Sequence, residues 1–241
     1  MRYMGGKFRD GAHIANILQG LVDTDVGIGG IDNFVEPFCG AMGVQIHMTE
    51  FCLEKDINMF ASDGAPDMIK LWEGMVDGTF KCPPEESITK ELWDRLKDDT
   101  NPSALRAYVG QGYAYSAIFF GTFVKAANKG DNLYDSLKCQ AAFLKNTTLR
   151  HCDYRNALDG VEGRCLIYCD PPYEKSSYKS PSSIPINHQE FKQQVLKWKA
   201  QGHIVVVSET ECDYAEETLV IKKSHCSFKK GQQYSDCLFR I

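Results

Sequence analysis

Residues 31–43 read IDNFVEPFCGAMG. Ile31 to Glu36 is a short β-rich run closed by Pro37, and a glycine-bearing loop follows from Phe38 to Gly43. Beyond the loop, Val44 to Phe51 predicts a helix and Ile57 to Ser62 a second apolar strand ending at Asp63. Pro66 to Val76 predicts another helix, with Met68, Ile69, Trp72 and Met75 on one side. Strand, glycine loop, helix, strand, helix is how a doubly wound parallel α/β sheet opens.

The same alternation returns late in the chain. Thr147 to Asp153 predicts a strand, and Arg164 to Cys169 (RCLIYC) is apolar enough for a strand buried on both faces. His188 to Ala200 carries Phe191, Val195 and Trp198 at helical spacing, and His203 to Ser208 (HIVVVS) is the clearest buried strand. Glu217 to Lys222 and Asp236 to Ile241 supply two more strands. Between the halves, Cys82-Pro83-Pro84 breaks the chain, Glu85 to Asp99 reads as a charged helix, and another helix starts at Asn101-Pro102. Tyr108 to Phe123 then mixes aromatics with glycines. The expected fold is α/β, a doubly wound, mostly parallel, Rossmann-like sheet built from residues 1–78 and 146–241, with a small, mainly helical lobe inserted at 79–145.

With 43% hydrophobic and 24% charged residues, the composition is that of an ordinary soluble chain. No apolar run approaches the roughly 20 residues that span a bilayer. Met1 to Lys7 has no apolar signal-peptide core behind its basic residues, so no membrane partner and a cytoplasmic location are expected. The ten cysteines are scattered, and no Cys-x-x-Cys occurs. Reduced thiols in apolar stretches (Cys39, Cys52, Cys139, Cys165, Cys169, Cys237) are therefore expected, with no metal. A net charge of −5 argues weakly against nucleic acid. From Ser103 to Arg155, however, seven basic side chains stand against three acidic ones. That balance suits a localised polyanion contact through Lys125, Lys129 and Lys138, and equally a solvated region with a few lysines.

Asp170-Pro171-Pro172-Tyr173 directly follows RCLIYC. Such a tetrapeptide arises by chance in about one chain of this length in a thousand. Its position, beyond the carboxyl end of a strand, is where open parallel sheets bind ligands; the plain alternative is a Pro-Pro turn with a helix-capping Asp. The residue types suit chemistry at an exocyclic amine such as that of adenine, whose lone pair is delocalised into the ring. Acceptors from the Asp170 carboxylate and the Pro171 carbonyl would hold both amine protons, draw the nitrogen towards tetrahedral geometry and free the lone pair. Pro171 and Pro172 fix φ and offer no competing backbone donor. Tyr173 offers an aromatic face to a base taken out of its stack. Two weaker signals are the loop after the first strand, where glycine lets backbone approach a ligand, and Asp63, which could bind ribose hydroxyls or merely cap a helix.

Taken in order, Tyr3-Met4-Gly5-Gly6-Lys7, EPFCGAMG (36–43), Asp63, Asp153 and DPPY, the chain resembles the Dam-like DNA adenine methyltransferases of bacteria and phages. The resemblance covers the N terminus and residues 31–76 and 147–208. It implies S-adenosylmethionine as cofactor, double-stranded DNA as partner and transfer of a methyl group to the 6-amino group of adenine. It also implies a catalytic domain of residues 1–78 and 146–241, and target recognition by 79–145. In that family an aromatic-x-Gly-Gly-Lys element closes over the cofactor. The implied cofactor contacts are Tyr3, Lys7, Phe38, Gly40, Asp63 and Asp170, with Asp153 towards the adenine end. The implied catalytic motif is Asp170, Pro171, Pro172 and Tyr173. Two departures stand out: Tyr3 replaces a frequent Trp, and the second glycine of Phe-x-Gly-x-Gly falls one position late, at Gly43.

An RNA adenine methyltransferase would use the same catalytic residues, whereas cytosine amino-methyltransferases resemble Ser-Pro-Pro-Trp. A catalytically silent nucleic-acid-binding protein would have no need of intact Lys7, Asp63, Asp170 and Tyr173. The target site is not legible, because a few side chains at particular positions set groove readout.

Overall fold

Among the described residues, seven strands form one sheet: β1 (Asn33–Glu36), β2 (Asn58–Asp63), β3 (Thr147–His151), β4 (Cys165–Cys169), β5 (Ile204–Glu209), β6 (Glu217–His225) and β7 (Gln233–Arg240). Their order is β3-β2-β1-β4-β5-β7-β6. The computed structural model describes residues 6–24, 30–125, 129–174, 186–225 and 233–241. β1, β2, β3, β4 and β5 pair in parallel, and β7 lies antiparallel between β5 and β6. The doubly wound, mostly parallel architecture expected from the sequence is the observed one.

The helices are α1 (Gly11–Thr24), α2 (Gln45–Glu54), α3 (Pro66–Val76), α4 (Lys90–Asp98), α5 (Ala104–Gly112), α6 (Lys129–Phe143) and α7 (His188–Ala200). Alternate residues of each central strand feed opposite faces of the sheet. Leu166, Tyr168, Ile204 and Val206 meet Ile14 and Leu18 of α1 and Met48 of α2 on one side. Cys165, Ile167, Val205 and Val207 meet Phe191, Val195 and Trp198 of α7 on the other. Burial on both faces explains why β4 and β5 read as continuous apolar runs.

A third core gathers Trp93, Tyr108, Tyr113, Phe119, Phe120 and Leu137 from the segment between α3 and β3. These side chains share it with Met68, Ile69 and Trp72 of α3 and with Ala61 of β2. Aromatics and glycines alternate here for a packing reason, since a Cβ on Gly110 would lie 2.4 Å from the Phe120 ring.

The structure departs from the sequence expectations in several places. The charged helix expected over 85–99 is a 3₁₀ turn (Glu85–Ser87) followed by α4. Ile88 turns fully into the core, and the Thr89 hydroxyl restarts the helix by accepting from Leu92 N–H at 3.2 Å. α1 and α6 have no counterpart among the expected helices. In α6 the apolar positions are diluted by polar residues, whereas α1 does carry an apolar stripe, Ile14, Ala15 and Leu18, which packs on the sheet. Cys139, expected among buried thiols, is exposed on α6, whereas Cys39, Cys52, Cys165, Cys169 and Cys237 are buried and free.

Candidate active site

β1 and β4 are sheet neighbours, with Val35 opposite Ile167. The chain winds away from them in opposite directions, through β2 and β3 on one side and β5 on the other. This is the topological switch point of a doubly wound sheet, where ligands bind beyond the strand ends. The loops leaving β1 and β4 are the glycine loop and Asp170-Pro171-Pro172-Tyr173.

The glycine loop is held by polar ties. Gly40 N–H donates to Asp63 Oδ2 and Ala65 N–H to Asp63 Oδ1, both at 2.8 Å, so each carboxylate oxygen holds a backbone amide. Burial raises the Asp63 carboxyl above its ordinary range, against the pull of those two N–H groups. Trp72 Nε1–H donates to the Gly40 carbonyl at 2.9 Å. Gly40 has φ +43° and Met42 φ +59°. The position where a second glycine would be usual thus keeps a left-handed backbone, with the Met42 side chain wholly buried as its compensation. The late glycine answers a different need, because a Cβ on Gly43 would lie 2.9 Å from the Lys7 carbonyl carbon and 3.0 Å from Phe8 N. Gly43 lets the segment carrying Lys7 lie against the loop.

Lys7 Nζ reaches Asp170 Oδ1 at 2.6 Å and lies 4.9 Å from the centroid of the Tyr173 ring. Burial works against the Lys7 charge, but Asp170 and then Tyr173 outweigh it and hold the ammonium above its ordinary range. The Tyr173 hydroxyl meets Ser208 Oγ at 3.0 Å, and burial, then Asp170, push its phenol pKa up, so it stays protonated. Pro171 is buried and Pro172 half-buried. Glu36, ending β1, is 3% exposed, and its Oε2 has no hydrogen-bond partner among the described residues. Burial, then Asp170, raise its carboxyl well above the ordinary range.

Phe38 stacks on Tyr154 (centroids 5.4 Å apart) and meets Phe191 edge-on at 5.7 Å. Asp153 caps the 3₁₀ turn after β3 and pairs with Arg155 at 2.7 Å, which lowers its pKa; Arg155 also reaches Glu190 at 3.2 Å. Tyr3 lies outside the described residues. Of the lysines, Lys125 donates to the Glu85 and Ile88 carbonyls at 2.7 and 2.9 Å, Lys138 is exposed on α6, and the Lys129 side chain lies outside the described residues. Arg155, Ser208 and Glu209 are not among the residues the sequence motifs single out, and Glu36, which opens EPFCGAMG, is given no role there. Ser208 and Glu209 close β5 as Asp170 follows β4, so the strand-end rule could have found them. A cavity of about 560 Å³ opens beside the DPPY loop, lined in part by Pro171, Glu174, Lys192, Glu209, Asp213 and Tyr214. Among the described residues, no helix is long and apolar enough to cross a membrane, and no three His, Cys, Asp or Glu side chains are grouped to hold a metal.

Residues 115–229, just under half of the chain, match the family model of D12 class N6 adenine-specific DNA methyltransferases. The matched stretch contains Asp153, DPPY and Ser208; Lys7, the glycine loop and Asp63 lie before it. No curated protein matches the sequence. Among solved structures, two of the rRNA methyltransferase aviRa from Streptomyces viridochromogenes are similar at 16% and 15% identity. Each covers 95% of this chain and 84% of that one, with a TM-score of 0.42. The structure of SMU.472 complexed with SAH is 8% identical and covers 97% of this chain and 55% of that one, with a TM-score of 0.35.

Proposed function

We propose that this chain transfers a methyl group from S-adenosylmethionine to the 6-amino group of adenine in double-stranded DNA. The observation that carries the reading is the placement of Asp170-Pro171-Pro172-Tyr173 at the switch point of the sheet, beside the glycine loop. The family match over residues 115–229 supports the same chemistry from the sequence side.

The residues present suit the cofactor. Glu36, Asp63 and Asp170 bring carboxyl oxygens to the strand ends, where they can accept hydrogen bonds from the cofactor's ammonium and ribose hydroxyls. The orphaned Glu36 Oε2 suits a polar ligand, and Phe38, Tyr154 and Phe191 form an aromatic surface for a nucleoside base. Phe38, Gly40 and Asp63 would hold the cofactor, with Asp153 towards its adenine and Tyr3 and Lys7 closing over it. When bound, S-adenosylmethionine supplies an electrophilic methyl group on sulfur. The protein orients and desolvates the amine. Asp170 and the Pro171 carbonyl would accept hydrogen bonds from its two N–H groups while the Tyr173 ring receives the extruded base. As the N–C bond forms the S–C bond breaks, the thioether departs, and one amine proton is lost to solvent. Lys7 fixes Asp170 through their ion pair. Residues 79–145 serve target recognition in this reading.

Incubating the purified chain with tritiated S-adenosylmethionine and either duplex DNA or RNA tests this directly. Label on N6 of adenine in DNA supports the proposal. Label confined to RNA moves the substrate, and no label on either removes the function.

A further inference from the structure

β4 and β5 pair in parallel as far as Cys169 and Val207. Two residues beyond Cys169, Pro171 and Pro172 remove the backbone N–H groups that would continue the ladder. The chain nevertheless rejoins β5, through side chains. The Tyr173 hydroxyl meets Ser208 Oγ at 3.0 Å, and Glu174 N–H donates to Glu209 Oε1 at 2.6 Å. Both bonds join residues 35 positions apart, so two consecutive residues of β5 grip two consecutive residues of the loop. We infer that Ser208 and Glu209 are positioning residues that suspend the DPPY loop from the end of β5 and set the Tyr173 ring for the reaction.

Burying a hydroxyl and a carboxylate is costly unless their hydrogen bonds are made. Ser208 is fully buried and Glu209 is 7% exposed. The second Glu209 oxygen accepts from Thr210 N–H at 2.6 Å and from its hydroxyl at 3.2 Å, so the carboxylate is itself fixed before it holds Glu174. The Lys7 ammonium also contacts Tyr173 and lies 4.9 Å from the ring centroid. The ring is therefore held at its hydroxyl and against a cation. A catalytic loop interrupted by two prolines cannot position itself by backbone pairing, and small displacements at a reacting centre are expensive in rate.

The inference rests on the methyl-transfer reading, and its test separates the two. kcat and cofactor KM are measured on an adenine-containing duplex for Ser208→Ala, Tyr173→Phe, their double variant and Glu209→Gln. Amide hydrogen exchange is followed in the peptide ending at Glu174. Ser208→Ala and Tyr173→Phe should each lower kcat about tenfold, the scale of one neutral hydrogen bond, with cofactor KM unchanged. The double variant should be no worse than Tyr173→Phe alone, because Ser208→Ala then removes a bond already lost, whereas Tyr173→Phe also gives up the hydroxyl's contact with Lys7. In Glu209→Gln both positions face backbone N–H groups and an amide can accept at only one, so kcat should fall at least as far and the Glu174 amide should exchange faster. Wild-type kcat in Ser208→Ala and Glu209→Gln, multiplicative losses in the double variant, or a loss confined to cofactor KM would overturn the assignment. If the wild-type chain methylates nothing, the proposed function fails while exchange at Glu174 still decides whether the clamp exists.

Discussion

The carboxyl rim of the sheet and the helical segment between α3 and β3 are built from opposite materials. At the rim, loops far apart in sequence are joined by polar atoms: Asp63 to Gly40, Lys7 to Asp170, Ser208 to Tyr173, Glu209 to Glu174. In the helical segment the ties are aromatic. Trp93 meets Phe120 edge-on at 5.0 Å, and Phe119 meets Phe120 at 4.7 Å. Two of its basic side chains serve the fold: Arg106 pairs with Asp67 of α3, and Lys125 binds two carbonyls. Tyr115 stands 65% exposed beside Ser116 and Ala117, which both take positive φ. Polar ties are the costlier way to hold a chain, and the molecule uses them where loops remote in sequence must be aimed at one another. A basic composition, by contrast, does not make a basic surface.

The largest expected effect breaks the helical segment at its buried ion pair. Arg106 also donates to the Leu96 carbonyl at 2.9 Å and lies over the Phe119 and Phe120 rings. Arg106→Ala strips Asp67, 3% exposed, of its charge partner while its other oxygen still accepts from Ser103 N–H. Chemical denaturation should show a loss of about 3–5 kcal/mol, the cost of stranding a buried charge. A loss below about 1 kcal/mol would mean that the pair is a surface ornament.

At the rim, Asp170→Asn tests the other half of the comparison. An amide offers one acceptor instead of two and leaves Lys7 without its charge partner. kcat should fall about 10²–10³-fold, the usual cost of one misplaced polar group at a reacting centre, with the fold retained by circular dichroism. Near-normal turnover would remove Asp170 from the chemistry.

Glu36→Gln gives a smaller, pH-dependent effect. In the unfolded chain Glu36 loses its proton near ~4.3. In the folded chain burial, then Asp170, keep the proton on to well above that range. Between the two values the unfolded state binds fewer protons, so Glu36 lowers stability as pH rises through this window and costs nothing below it. The Gln variant should be more stable than wild type at pH 8, with a much smaller difference at pH 5, as read from thermal melts. A pH-independent difference would place the charge elsewhere.

The sheet is legible in the sequence because β1, β4 and β5 are apolar on both faces and each is followed by a loop of distinctive residues. Asp63, Asp170 and Tyr173 stand where the strand-end rule puts them. Their partners are not legible: nothing local to Ser208 announces Tyr173, and Lys7 and Asp170 are 163 positions apart. The same holds for Met42, whose left-handed backbone is visible only in three dimensions. Segment charge misleads for a related reason. It counts Arg106, Arg150 and Arg155 as if none had a partner, whereas Arg106 serves Asp67, Arg150 donates to the Asp159 carbonyl at 2.7 Å, and Arg155 pairs with Asp153 and Glu190.

The smallest effect sharpens the comparison within a single residue type. Lys125 and Lys138 both belong to the basic stretch, yet Lys125 donates to the Glu85 and Ile88 carbonyls while Lys138 stands exposed on α6. Lys125→Ala should cost about 1 kcal/mol in a urea melt, a charged donor's bonds discounted for solvent exposure, and leave the salt dependence of duplex binding unchanged. Lys138→Ala should leave stability within about 0.5 kcal/mol of wild type. If its ammonium meets a phosphate, the slope of log affinity against log salt should flatten by about 0.9, with cofactor affinity unaltered. Fluorescence anisotropy of a labelled duplex from low to moderate salt reads both slopes. A flatter slope for Lys125→Ala at full stability would show that its ammonium leaves the carbonyls to reach DNA. Unchanged slopes in both variants would take the phosphate-facing surface off α6 and the turn before it. In either case exposure in the free protein would no longer separate a lysine that holds the fold from one that holds the substrate.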